Sequence, residues 1–159
     1  MGYVTMPRGS ILSIEAKDLL ATPAGNTVKW NKITEHNRSQ FDIATERIES
    51  KNRTSNGTLR KFWVADKKTF TVSWDMLPSY RTLTVDGGWG AEDIRSFFAS
   101  PEGKLPFNIK INLAKNGTDQ TESASDYEIY SVSFSQASFT IQKRGIQPHW
   151  NVQIILEEI

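Results

Sequence analysis

The chain has 159 residues, 19 Lys and Arg against 18 Asp and Glu for a formal charge of +1, and no cysteine. That length is one domain's worth, residues 1–159, and buries roughly 70% of the surface its unfolded chain exposes without any covalent staple. The missing cysteine excludes disulfide scaffolds, thiol catalysis and iron–sulfur ligation and leaves only His36 and His149 as imidazoles, so no metal or cofactor is expected.

The opening residues lack a basic start followed by an apolar stretch of about 7–15 residues, so no secretory signal is expected. No apolar run reaches the ~18 residues that span a bilayer, and a soluble protein made in a reducing cytoplasm is expected. In the stretch 9–20, Leu12, Ile14 and Ala16 alternate as on a strand. Pro23-Ala24-Gly25 is a turn signal, and a short strand from Asn26 to Trp30 follows. The segment Phe41 to Arg53 is also extended, but its apolar phase shifts between Ile43 and Ile48, which a β-bulge explains.

Asn56-Gly57 is the strongest local signal, because a two-residue type I′ turn needs positive φ at both central positions. It predicts a long hairpin pairing 47–53 with 58–64. Asp66-Lys67-Lys68 suggests a second tight connection into 69–74, where Phe70, Val72 and Trp74 alternate with hydroxyls, so that a three-stranded meander is expected. A glycine-rich turn, Asp86-Gly87-Gly88-Trp89-Gly90, precedes Ala91 to Ala99. Within that stretch Ile94, Phe97 and Phe98 fall at i, i+3 and i+4 behind acids in the first turn, the pattern of a short amphipathic helix ended before Pro101. Strands are predicted over Phe107 to Leu113, over Tyr130 to Phe134, at Phe139 with Ile141, and over Trp150 to Leu156, with a polar loop at 114–126. The sum is a mainly β protein, an antiparallel β-sandwich or barrel of about seven to nine strands with one short helix near 91–99.

Motifs for chemistry are sparse. The glycines before the helix lack both GxGxxG and GxxxxGK[ST], and Glu92 and Asp93 occupy the place an anion would take. Glu46 and Glu49 differ in parity and face opposite sides of a strand unless the bulge intervenes. His149 suits a surface position better than a catalytic one. No catalytic residue is expected. The Asn-x-Ser/Thr triplets at Asn37, Asn52, Asn56 and Asn116 suit turns rather than glycan attachment. Among the five tryptophans, Trp74 and Trp150 share the phase of core positions, whereas Trp89 among glycines is either an exposed anchor or a cover for the helix.

Charge is unevenly spread. Residues 47–68 hold seven basic and two acidic side chains, a local +5. The helix and its flanks, with Asp86, Glu92, Asp93 and Glu102 against Arg95, carry −3, and 116–128 carries −4. Such segregation at near-zero total suits a protein that docks onto copies of itself.

The stretches His36-Asn37-Arg38-Ser39, Glu46-Arg47-Ile48-Glu49, Asn56 through Trp74, and Val85-Asp86-Gly87-Gly88 resemble small virion proteins of tailed bacteriophages, of the minor-tail or tail-structural kind. The closing stretch from Trp150 to Glu158 is similar to the last strand of tail-tube and distal-tail β-barrel proteins. The resemblance covers a third to half of the chain. It implies a non-enzymatic virion tail component (tube, distal tail or baseplate), a homo-oligomer forming stacked rings with other tail proteins around a channel through which DNA passes without sequence-specific binding. Its hairpin would reach a neighbouring subunit. On that reading the inter-subunit contacts are expected at Arg53, Asn56, Gly57, Arg60, Lys61 and Trp89. Two other readings start from the same residues. One is a glycan-binding β-sandwich at a tail tip using Trp89, and the other a single-strand nucleic-acid binder using Arg53, Arg60, Lys61 and Trp63.

Overall fold

The structure, a computed structural model, describes residues 11–17, 28–85, 87–112, 127–143 and 148–159. Pro23-Ala24-Gly25, Asp86 and the loop from Ala114 to Asp126 lie outside the described residues. Seven strands form one antiparallel sheet: β1 (Leu12–Lys17), β2 (Val28–Lys32), β3 (Arg38–Arg53), β4 (Leu59–Pro78), β5 (Phe107–Asn112), β6 (Tyr127–Lys143) and β7 (His149–Glu158). Their order across the sheet is β2-β1-β5-β6-β7-β4-β3. Among the described residues one α-helix, α1 (Ala91–Ala99), lies between β4 and β5 and covers the residues its periodicity predicted.

Alternation decides which face is buried. Leu12, Ile14 and Ala16 of β1, Phe70, Val72 and Trp74 of β4, Ile109 and Ile111 of β5, and Val152, Ile154 and Leu156 of β7 all belong to one buried cluster. Because β1 and β4 stand near opposite ends of the strand order yet share that cluster, the sheet curls around a single core. Helix α1 adds Ile94 and Phe97, and the Phe97 ring lies 5.1 Å from Phe107 and 5.9 Å from Phe134.

Two expected breaks are absent, for related reasons. The strands expected around Phe134 and Phe139 are one strand, β6, with a register shift between Phe134 and Gln136. The extra residue flips the parity, so Val132 and Phe134 before it, and Ala137 and Phe139 after it, all turn to the core. Likewise β4 runs without interruption through Asp66-Lys67-Lys68. The expected meander is therefore corrected to a single long hairpin of β3 and β4. A shift between Trp74 and Leu77 again restores an apolar residue, Leu77, to the core face.

The hairpin turn also differs from expectation. Gly57 N–H donates to the Thr54 carbonyl at 2.8 Å, Thr54 N–H donates to the Thr58 carbonyl at 2.9 Å, and Gly57 has φ +84° while Asn56 is not left-handed. The loop is thus three residues, Ser55-Asn56-Gly57, a tight turn closed by a left-handed glycine. The Asn56 side-chain Oδ1 instead accepts from Thr58 N–H at 3.3 Å.

Candidate assembly interface

β4 pairs with β7 only from Thr69 to Pro78. Residues 59–68 pair with β3 alone, over Thr45 to Arg53, so the hairpin leaves the sheet as a two-stranded arm. At ~3.3 Å per residue those ten residues project about 33 Å. The twelve largest fully buried side chains all lie outside the arm. A free two-stranded ribbon is marginal in water, and this one is braced by side-chain pairs.

The register gives the arm two unlike faces. On one, Arg47 Nε donates to Asp66 Oδ1 at 2.9 Å and Arg47 Nη2 to Asp66 Oδ2 at 3.2 Å, while the Trp63 indole N–H donates to the same Oδ1 at 2.9 Å. Further out, Lys51 and Lys61 reach the two oxygens of Glu49 at 2.8 and 2.9 Å. The Arg47 guanidinium, then the Trp63 indole, hold the Asp66 carboxyl below its ordinary range, and Lys51 with Lys61 does the same for Glu49. On the other face stand Ile48 and Phe62, 45% and 71% exposed, while Val64, 58% exposed, is the extra residue of the bulge opposite Glu49 and has no partner in the register. That bulge falls just past Ile48, one residue beyond the expected interval, and its extra residue is on β4. Glu46 and Glu49 consequently remain on opposite faces of β3.

At the arm's base, Lys67 Nζ donates to the Ile159 carbonyl at 2.5 Å, and Lys68 N–H donates to Glu158 Oε2 at 2.9 Å. These bonds tie the start of the arm to the last strand. At its tip, Arg53 Nη1 donates to the Gly57 carbonyl at 3.0 Å. Arg53, Asn56, Gly57, Arg60 and Lys61 are all exposed and lie together on the distal arm.

Trp89 is elsewhere, and the exposed-anchor expectation is corrected. It is 5% exposed, its N–H donates to the Lys32 carbonyl at 2.9 Å, and its ring sits 5.5 Å from Phe97. It covers the helix, the other placement its sequence context allowed. The glycan-platform reading loses its key residue with it.

The described acids of the helix and its flank, Glu92, Asp93 and Glu102, are also spent internally. Asp93 is 3% exposed, accepts from Gly90 N–H at 3.1 Å and Arg81 N–H at 3.0 Å, and pairs with Arg81 Nη2 at 3.3 Å. The helix start is thereby filled by its own carboxylate, which is why the glycines before it do not form an anion cradle. Glu92 pairs with Arg95 at 3.1 Å, and Glu102 accepts from Lys17 N–H at 3.1 Å. His36 Nδ1 accepts from Val85 N–H at 3.2 Å and staples a loop. Among the described residues no three His, Asp or Glu side chains gather where they could hold a metal, and no helix is long and apolar enough to cross a membrane.

A second surface, not anticipated from the sequence, is the sheet face turned away from the core. Segments 40–44 of β3, 69–75 of β4, 151–157 of β7 and 133–142 of β6 contain no Lys or Arg. Their outward positions are mostly Ser, Thr, Asn and Gln, with Asp42, Asp75 and Glu157 as the acids. A shallow open groove of about 380 Å³ crosses them, lined by Gln40, Ser73, Asp75, Ser138, Thr140 and Asn151 among others. The signal was present as a cation-free composition in four separate segments, but only the register shows that they are neighbours.

These elements define a class of fold: one curled antiparallel sheet, a single covering helix, and a long hairpin that outruns the sheet. No protein-family model matches the chain, and no curated protein matches it in sequence. Among solved structures it is similar to a chain of the tail of an empty GTA particle, determined by helical refinement with C6 symmetry, at a TM-score of 0.52 and 6% identity. The match covers 98% of this chain and 95% of that one.

Proposed function

We propose that this protein is a non-enzymatic structural component of a phage-type particle tail, assembling as a homo-oligomeric ring around the channel that DNA traverses. The observation that carries the reading is the arm. It projects about 33 Å without contributing to the core and exposes Ile48, Phe62 and Val64, apolar area that an isolated subunit leaves in water at a cost of roughly 25 cal/mol per Å². The whole-chain likeness to a tail protein of C6 symmetry supports the same conclusion.

Within that ring, the distal arm with Arg53, Asn56, Gly57, Arg60 and Lys61 contacts a neighbouring subunit, and the cation-free sheet face is turned to DNA. A surface without Lys or Arg forms no counterion-releasing phosphate contacts, so a duplex passes without being retained. Tube, distal-tail and baseplate positions all fit this description.

Electron microscopy and light scattering of the purified protein test the proposal, together with its detection in particles. Rings or tubes are expected. A chain that stays monomeric at every concentration and is absent from particles overturns it.

A further inference from the structure

A second exposed apolar surface lies at the far end of the molecule. Phe98 of α1, 37% exposed, stands edge-on to Phe134 at 5.1 Å and lies 6.4 Å from Phe139. Ile141, on the same face of β6 as Phe139, is 55% exposed and pairs with Trp150, which pairs in turn with Leu77 of β4. Phe98, Phe139, Ile141 and Trp150 thus make one patch along the open side of the helix. The β6 segment that carries it, 133–142, holds no cation to repel Arg60 beside Phe62 on the arm.

The two patches cannot meet within one molecule. Phe62 and Leu77 belong to one continuous strand, fifteen residues apart, so the arm patch and the Ile141 patch are separated by about 50 Å along the sheet. The arm also points away from the second patch, because it leaves the sheet at Thr69 and Glu157, the opposite end of β7 from Trp150.

We infer that the Ile48–Phe62 face of the arm docks head-to-tail on the Phe98–Phe139–Ile141 surface of a second copy. The inference rests on the assembly reading above and names the surface that receives the arm. Two unlike patches at opposite ends make the contact heterologous, so it propagates from copy to copy until it closes into a ring or continues as a filament. One face of a ribbon ~33 Å long and ~10 Å wide offers about 330 Å², well under the ~800 Å² per partner of a stable pairwise interface. Each member of a ring gives one arm and receives another, which doubles the buried area per subunit.

The absence of native cysteine makes the test direct. Phe62→Cys and Ile141→Cys proteins are mixed with a short bismaleimide. The expected products are a cross-linked dimer in the mixture, none in either protein alone, and a ladder of multimers from the double variant. Gln153→Cys, on the cation-free face, should give no product with Phe62→Cys. Should Phe62→Cys lower the melting temperature, Ile48→Cys on the same arm face replaces it. Cross-linking of Phe62→Cys with itself overturns the inference in favour of arm-to-arm pairing. Absence of the mixed product, in a protein that sediments as an oligomer, overturns this acceptor surface while the assembly reading stands. A protein that never sediments above a monomer overturns both.

Discussion

Replacing Asp93 by alanine separates a docking charge from an internal anchor. By its place in the sequence Asp93 belongs to an acidic patch. In the fold it is 3% exposed and accepts from the Gly90 and Arg81 backbone N–H groups while pairing with the Arg81 side chain. Removing the carboxylate strands a buried donor at Gly90 and a part-buried one at Arg81, each costing ~1–2 kcal/mol. It also removes a favourable negative charge from the helix start, worth about 0.5 kcal/mol. The Arg81 guanidinium is partly solvated and recovers water, so the full penalty of breaking a buried pair does not apply. The expected loss is about 3 kcal/mol, or a fall in melting temperature of roughly 6–12 °C for a chain of this size. Urea unfolding followed by tryptophan fluorescence measures it, and Asp93→Asn, which keeps one acceptor oxygen, should fall between wild type and Asp93→Ala. A change below ~0.5 kcal/mol, with loss of self-association instead, would refute the anchor and restore Asp93 to the surface.

Further outcomes follow from the same geometry. Phe62→Asp should leave the melting temperature within ~2 °C, since the ring is 71% exposed and exposed sites rarely change stability by more than ~0.5 kcal/mol, yet it should shift light scattering toward monomer. Gly103→Ala should cost about 3 kcal/mol by denaturant titration, because a Cβ there would stand 2.1 Å from the Phe97 carbonyl oxygen. Asp66 and Glu49 have folded pKa values depressed by Arg47 with Trp63 and by Lys51 with Lys61. Their contribution is present above the ordinary carboxylate range of about 4 and disappears as pH falls through the folded values. Amide exchange over 45–66 should accordingly speed up in acid before the core strands change, and equal acceleration in both would contradict the assignment. Lysines at Thr71, Ser138 and Gln153 should create DNA retention in filter binding that weakens with salt, with assembly unaltered.

Where sequence periodicity was legible, one rule held: an apolar residue recurring at a fixed step marks the buried face. It found β1 through Leu12, Ile14 and Ala16 and α1 through Ile94 and Phe97, because these elements keep one phase from end to end. It failed where a single extra residue resets the phase. The gap between Phe134 and Ala137 and the step from Trp74 to Leu77 both resemble strand ends in a linear pattern. Only pairing with β7 shows that backbone continues through them. In the arm neither face is buried, so alternation carries no information there and Asp66-Lys67-Lys68 resembles a turn. Trp89 was ambiguous for another reason. Its backbone N–H is held by Lys32 in β2 and its ring lies against Phe97 in α1, and no local pattern announces contacts with two separate elements.

The near-neutral total takes on a different meaning once each charge has an address. The sequence sets a basic hairpin against two acidic segments, the helix with its flanks and 116–128, and of these Asp86 and 116–126 lie outside the described residues. The helix acids prove to be engaged at home: Asp93 by Arg81 and the helix start, Glu92 by Arg95, Glu102 by the Lys17 backbone. Two of the arm's three carboxylates, Asp66 and Glu49, are likewise held by Arg47 and by Lys51 with Lys61. Plus-to-minus docking between hairpin and helix therefore has little to work with. What segregates is function by surface. Basic residues concentrate on an arm whose apolar side chains Ile48 and Phe62 are exposed, and they are absent from the sheet segments 40–44, 69–75, 133–142 and 151–157. If the arm builds the ring, its cations are removed from the wall of the channel, and the same division of charge serves adhesion between subunits and indifference toward the polyanion that passes them.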